Sequence, residues 1–214
     1  MIPGFAIATR HGDTVIRKGQ GVASVKIVPY AVPKSDLATA VSIAEHAGGI
    51  VSVLPFKSMN IGVVLIGTKA SEDHMLTVFG SAIARRVESF GSSVSDTVFV
   101  EEDSRVISEA VTRYVSRGNE MIIIAGETSI VDVNDITPAA VRQAGGDVEV
   151  YGVPVDPGNL LMLAYIGDIP VVGAPGCIQS RSENVVDLAI PRLLAGERLS
   201  RIDLAALGHG GLMK

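Results

Sequence analysis

The sequence contains no tryptophan, and aromatic residues make up only 4% of it. The apolar content is therefore carried by Val, Ile, Leu and Ala, a mix that suits parallel strands buried on both faces. There is one cysteine, Cys177, so no internal disulfide can form, and a reducing, cytoplasmic location is expected. No apolar run approaches the roughly 20 residues needed to span a bilayer. The N-terminus lacks a basic start followed by a long apolar stretch, so no signal peptide is expected. Clustered Lys and Arg are missing as well. With 18 basic against 23 acidic residues, a net charge of −5 and a pI near 5.4, a nucleic-acid surface is excluded. The histidines His11, His46, His74 and His209 show no metal-ligand spacing and read as surface residues.

What is present is a chain of 214 residues, 47% hydrophobic, with a mean hydropathy of +0.39. That length allows one large domain, or one domain with a small module. Residues 58–196 alternate between short apolar runs and helical stripes. The runs at 61–66, 97–100 and 121–125 read as buried strands. Leu76, Phe79, Ile83, Val87 and Phe90 recur at helical spacing within 75–90, closed by Gly91. Val106, Ile107, Ala110, Val111, Tyr114 and Val115 form a second stripe, ended by Gly118. Thr137 is expected to cap a third helix, with Pro138 in its first position and Gly145-Gly146 after it. Strands are expected at 148–155, 160–166 and 169–174, the last two joined by the Gly167-Asp168 turn. Ser180 and Glu183 have the spacing of a capping box before a final stripe that Gly196 stops. This order predicts a three-layer αβα domain around a mostly parallel sheet, with right-handed crossovers. Residues 1–57 differ: 15–33 reads as strand-like and about 35–47 as one helix. They are expected to form a small β-rich module. Residues 197–214 form a tail whose 208–211 stretch is too glycine-rich for a helix.

In open α/β sheets, ligands bind beyond the carboxyl ends of the strands. Loops at 67–71, 101–104, 126–136, 157–159 and 175–177 should meet there, and all are rich in glycine, hydroxyl residues or acids. Glycine admits a ligand to the backbone, and a helix start favours an anion. Acids beside a phosphate make sense if they bind Mg²⁺, accept a proton or read ligand amino groups. Each acid also has a plainer reading. Asp135 can pre-cap the helix at Pro138, either of Glu102 and Asp103 can favour a helix dipole, and Glu127 and Asp132 can be solvated charges. Cys177 reads as a small buried residue, and Arg85-Arg86 as an exposed basic face.

Residues 60–196 resemble the MoaB/Mog domain of molybdenum-cofactor biosynthesis, shared by molybdopterin adenylyltransferases, molybdenum insertases and gephyrin. The resemblance rests on Ala125-Gly126-Glu127-Thr128-Ser129 where the family has a Gly-Gly-Thr-Gly turn, then on Asp135-Ile136-Thr137-Pro138, Glu102-Asp103, Pro157-Gly158-Asn159 and Pro175-Gly176. Val155 to Leu161, Gly173 to Cys177 and Gly208 to Leu212 are similar to a molybdopterin-binding subgroup sometimes fused to a nucleotidyltransferase. The resemblance implies molybdopterin as ligand, with Mg²⁺ and ATP if adenylyl transfer also occurs. It implies that Asp135 and Glu102 hold the metal or position the pterin phosphate. Gly126, Thr128 and Ser129 would line the pterin pocket. Gly158, Asn159, Gly176, Ser180 and Arg181 would contact pterin or phosphate, with Arg181 as the phosphate clamp. One position departs from the pattern: Glu127 replaces the turn's second glycine, where a carboxylate repels a phosphate unless a cation intervenes. Pterin binding therefore carries over more directly than adenylyl transfer. A homo-oligomer, trimer or dimer, is also implied. Other readings are a cofactor carrier that meets a molybdoenzyme or nucleotidyltransferase, and a nucleotide pyrophosphatase.

Overall fold

A computed structural model of the chain describes residues 2–128 and 130–213. The chain divides into two compact units, Met1–Pro55 and Phe56–Lys214. The first contains an antiparallel ribbon of β1 (Phe5–Thr9) and β2 (Ala23–Ile27), in which Phe5 faces Ile27 and Ile7 faces Val25, followed by α1 (Lys34–His46). The expected strand character of 15–33 is confined to β2. Its pairing strand lies upstream, where the sequence carries no turn signal as clear as those around Gly19 and Gly21.

The second unit is a three-layer αβα domain. Its sheet comprises β3 (Asn60–Ile66), β4 (Ser93–Val100), β5 (Met121–Gly126), β6 (Asp147–Tyr151), β7 (Met162–Ile166) and β8 (Ile169–Ala174), in the order β4-β3-β5-β8-β7-β6. Strands β4, β3, β5 and β8 pair in parallel, and β7 runs against both β8 and β6. Alternate residues feed opposite cores. Ile61, Val63, Leu65, Met121 and Ile123 enter one. Val64, Ile66, Ile122 and Ile124 enter the other.

The first core is covered by a continuous helical segment, α2 (Glu72–His74), a π-helical stretch (Met75–Gly80) and α3 (Ser81–Glu88), with α6 (Val185–Leu194) and α7 (Arg201–Ala206). The second is covered by α4 (Ser104–Ser116) and α5 (Ile136–Gln143). Gly62 is needed in β3 because the Tyr114 ring of α4 fills the place of its side chain: a Cβ would stand 2.5 Å from the ring. The Tyr114 hydroxyl donates to the Val63 carbonyl at 3.2 Å.

Several local expectations need correction. The helical stripe at 75–90 is not one regular α-helix, since its first half is a π-helical stretch that keeps Met75 and Phe79 buried. Helix α5 begins at Ile136, with Asp135 rather than Thr137 at the N-cap position. The capping box of α6 is Asn184 with Asp187, not Ser180 with Glu183, because a 3₁₀ turn (Gly176–Gln179) delays the helix. Strand β6 stops at Tyr151, where Gly152 turns with φ +78°. A short helix, α7, precedes the glycine-rich tail. Among the described residues no helix is long and apolar enough to cross a membrane.

Strand pairing settles where the loops emerge. Ile66 lies beside Val100 and Gly126, Ala125 beside Ala174, and Tyr151 and Gly173 beside Met162. The loops after β3, β4, β5 and β8, and the β6–β7 connection, therefore share one rim of the sheet.

Candidate functional site

At that rim a cleft of about 330 Å³ is lined by Ile66, Glu102, Gly126, Thr128, Ile130, Val131, Asp135, Ile136 and Thr137. Strand ends set its floor, and the long loop between β5 and α5 forms its wall. Gly126 begins that loop, and a Cβ there would stand 2.6 Å from the Thr128 carbonyl, so the tight turn requires glycine.

The acids separate into distinct roles. Asp103 is the N-cap of α4, accepting from the Arg105 amide at 2.8 Å, and that bond holds its carboxyl below the usual range. Glu102 is left to face the cleft, where its Oε1 accepts from the Thr128 hydroxyl at 3.0 Å. Asp135 does not cap α5 with its side chain. Its Oδ2 reaches back to accept from the amides of Val131 and Asp132, at 2.7 and 2.9 Å, which fixes the wall of the cleft. Asp132 is occupied locally, accepting from the Asn134 amide at 2.8 Å. Tyr151 supports the same loop from β6, its hydroxyl donating to the Ile130 carbonyl at 2.9 Å. Desolvation and the nearby Asp135 and Asp132 charges push this phenol up, keeping it protonated as a donor.

The cleft thus joins Glu102, Gly126, Thr128 and Asp135, all expected from sequence. Ser129 lies outside the described residues. Gly158, Asn159, Gly176, Ser180 and Arg181 share the rim but do not line the cleft. Gly158 has a packing role: with φ +120°, it allows α6 so close that a Cβ would stand 2.3 Å from Val185 Cγ1. The exposed Asn159 accepts with its backbone carbonyl from the Val153 amide, Gly176 opens the 3₁₀ turn, and Arg181 is exposed. The Ser180 carbonyl accepts from Arg86 at 2.8 Å.

Arg86 overturns the reading of Arg85-Arg86 as an exposed face. It is 8% exposed and pairs with Asp187 at 2.9 Å while donating to the carbonyls of Ile178 and Ser180. A guanidinium has five donors, enough to join α3, the 3₁₀ turn and the start of α6. The pairing of Arg86 with Asp187 spans 101 positions, and no local pattern reveals it. Cys177 is partly buried, and desolvation raises its thiol above the ordinary value. The apolar lining residues Val131 and Ile136 were also missed, although apolar residues in an acid-rich loop are a signal; they are 73% and 40% exposed.

The arrangement offers an apolar wall, two carboxylates and a hydroxyl, which suits a flat heteroaromatic ligand bearing polar edges. Among the described residues no group of three or more His, Cys, Asp or Glu could hold a metal ion. Glu102 and Asp135 would share an ion only together with ligand phosphate and water oxygens, the usual habit of Mg²⁺.

A family model described as "Probable molybdopterin binding domain" matches residues 62–195. None of the curated proteins matches the chain in sequence. Among solved structures, MoaB from Thermus thermophilus is 16% identical, with 65% of this chain and 98% of that one covered and a TM-score of 0.49. A MoeA protein from Pyrococcus horikosii is 18% identical, with 65% of this chain covered and a TM-score of 0.48; the match spans only 35% of that protein. A Mog protein from Mycobacterium ulcerans is 17% identical, with 63% and 92% covered and a TM-score of 0.39. Because the family model spans more than half of the chain, the chain belongs to the family of probable molybdopterin binding domains.

Proposed function

We propose that the rim cleft binds molybdopterin, bare or in its nucleotide or metal form, and that the protein serves molybdenum-cofactor assembly. The observation that carries this reading is the convergence of Glu102, Thr128 and Asp135 on one cleft with an apolar wall. The pterin ring would lie against Ile130, Val131 and Ile136. Its amino and ring N–H groups would donate to Glu102 Oε2 and Asp135 Oδ1, since Oε1 and Oδ2 are engaged by the protein.

The finer reading is Mg²⁺-dependent adenylyl transfer, in which a pterin phosphate oxygen attacks the α-phosphorus of ATP and pyrophosphate leaves. Glu102 and Asp135 would hold Mg²⁺, whose charge would offset the repulsion between phosphates and two carboxylates. The chain's own contribution is positioning, which suffices for much of phosphoryl-type catalysis.

Titration calorimetry with molybdopterin tests the binding, and no heat at micromolar ligand with an intact fold refutes it. The Asp135→Asn variant is expected to bind about tenfold or more weakly, the scale of a weakened hydrogen bond to a charged group. Incubation with ATP, Mg²⁺ and molybdopterin should yield an adenylylated product that this variant fails to make. Tight binding without product would identify a carrier instead.

A further inference from the structure

Glu127 stands where the family's turn has a second glycine, and the structure shows what its carboxylate does. Its backbone amide donates to the Ile66 carbonyl at 2.8 Å, pinning it to the end of β3. Its Oε2 accepts from the Ser71 hydroxyl at 2.6 Å, the Thr68 amide at 3.2 Å and the Thr68 hydroxyl at 3.4 Å. All three donors belong to the loop after β3. The loop is shaped for this contact, because a Cβ on Gly67 would stand 2.5 Å from Ser71 Oγ and 3.1 Å from Glu127 Oε2. The next residue, Thr128, donates to Glu102. One run of contacts thus joins the loops after β3, β5 and β4. Glu127 itself does not line the cleft.

We propose that Glu127 is a positioning residue: it braces the 67–71 loop against the β5 turn and thereby fixes Thr128 and Glu102 for the ligand. The ligand half of this inference rests on the pterin-binding reading above. The carboxylate accepts from Ser71 and Thr68, so it stiffens the rim as well as carrying its charge there. Charge-assisted hydrogen bonds are the stronger kind, which suits a brace made of one side chain. The Ser71 and Thr68 bonds hold the Glu127 carboxyl below the usual range, so it is ionised at neutral pH.

The test uses Glu127→Ala, Glu127→Gln, Ser71→Ala and the Glu127→Ala/Ser71→Ala double variant of the full chain, each checked for a cooperative melt. Amide hydrogen exchange of the unliganded protein reads the brace directly. Glu127→Ala should speed exchange at the Thr68 amide. Calorimetry should show molybdopterin affinity reduced about tenfold, the scale of a lost hydrogen bond to a charged group. Glu127→Gln, which keeps an acceptor, should fall between wild type and Glu127→Ala. The double variant should lose less than the two single losses multiplied together, since both changes cut the Ser71–Glu127 bond, while Ser71 Oγ also bonds the Thr68 amide and carbonyl at 3.1 and 2.9 Å. Unchanged Thr68 exchange in Glu127→Ala, unchanged affinity despite faster exchange, or multiplying losses in the double variant would each overturn the proposal. If Glu127→Ala does not fold, Glu127→Gln and Ser71→Ala carry the same comparison. If wild type binds no pterin, the functional reading fails, while the exchange measurement still decides the brace.

Discussion

Glycines and carboxylates at the rim act mainly on the backbone around them. Asp135 holds two amides of its own loop, and Glu102 holds Thr128, so each presents only its remaining oxygen outward. Gly158 is the counterpart among the glycines. The resemblance implies a ligand contact for it, and the structure shows the close approach of Val185. Gly158→Ala is therefore expected to destabilise the fold by about 3 kcal/mol or more, combining backbone strain with overpacking. Gly91 has φ +82° but nothing within 4 Å of its missing side chain. Gly91→Ala should cost only the left-handed backbone penalty, about 1 kcal/mol. Urea unfolding of the two variants checks the contrast, and equal losses would show that packing against Val185 is not the constraint.

Elements were legible where a periodic apolar pattern met a clear stop. Met121 to Ala125 is buried throughout and is a central strand, and the Gly118 and Gly196 endings fall just beyond α4 and α6. Boundaries set by tertiary contacts were not legible. The start of α6 depends on a 3₁₀ turn held by Arg86 from α3, so the Ser180-Glu183 spacing misled. The π-helical stretch, in which Met75 and Phe79 are buried, is likewise recorded by no capping signal. The N-terminal unit poses a different question. Among its described residues none is buried, and Ile7, Val25, Ile27, Val41 and Ile43 are exposed. A two-stranded ribbon and one helix without a core are marginal in water. The second unit contains the buried clusters, opening with Phe56, which packs against Phe90 at a ring separation of 4.9 Å. A chain of residues 56–214 is expected to unfold cooperatively and to bind molybdopterin as the full chain does. A residue 1–55 fragment should show little far-ultraviolet circular dichroism. A broad, non-cooperative melt of 56–214 would refute that division.

At the scale of the whole molecule, the site's placement followed from topology, because a parallel sheet sends its loops to one edge, whereas the cleft's walls depended on side chains that only folding brings together. The same folding sets how stability responds to acid. Asp203 accepts from the Ser200 amide at 2.8 Å and its hydroxyl at 2.5 Å in the capping box of α7, and these bonds hold its carboxyl below the usual range. Asp103 is lowered by the Arg105 amide, and Glu127 by Ser71 and Thr68. A carboxyl lowered on folding stabilises the native state above its unfolded pKa, and that contribution disappears as pH falls through the folded one. The unfolded values are near 3.8 for Asp and 4.5 for Glu. The urea midpoint should therefore be level near neutrality and fall once pH drops below about 4.5, where these groups begin to bind protons on unfolding. Asp203→Asn should be less stable than wild type at neutral pH, and the gap should narrow as acid removes the same interaction from wild type. A gap that stays constant from neutral pH to pH 2, roughly two units below the ordinary Asp value, would show that the charge of Asp203 contributes nothing and that only its shape is used at the start of α7.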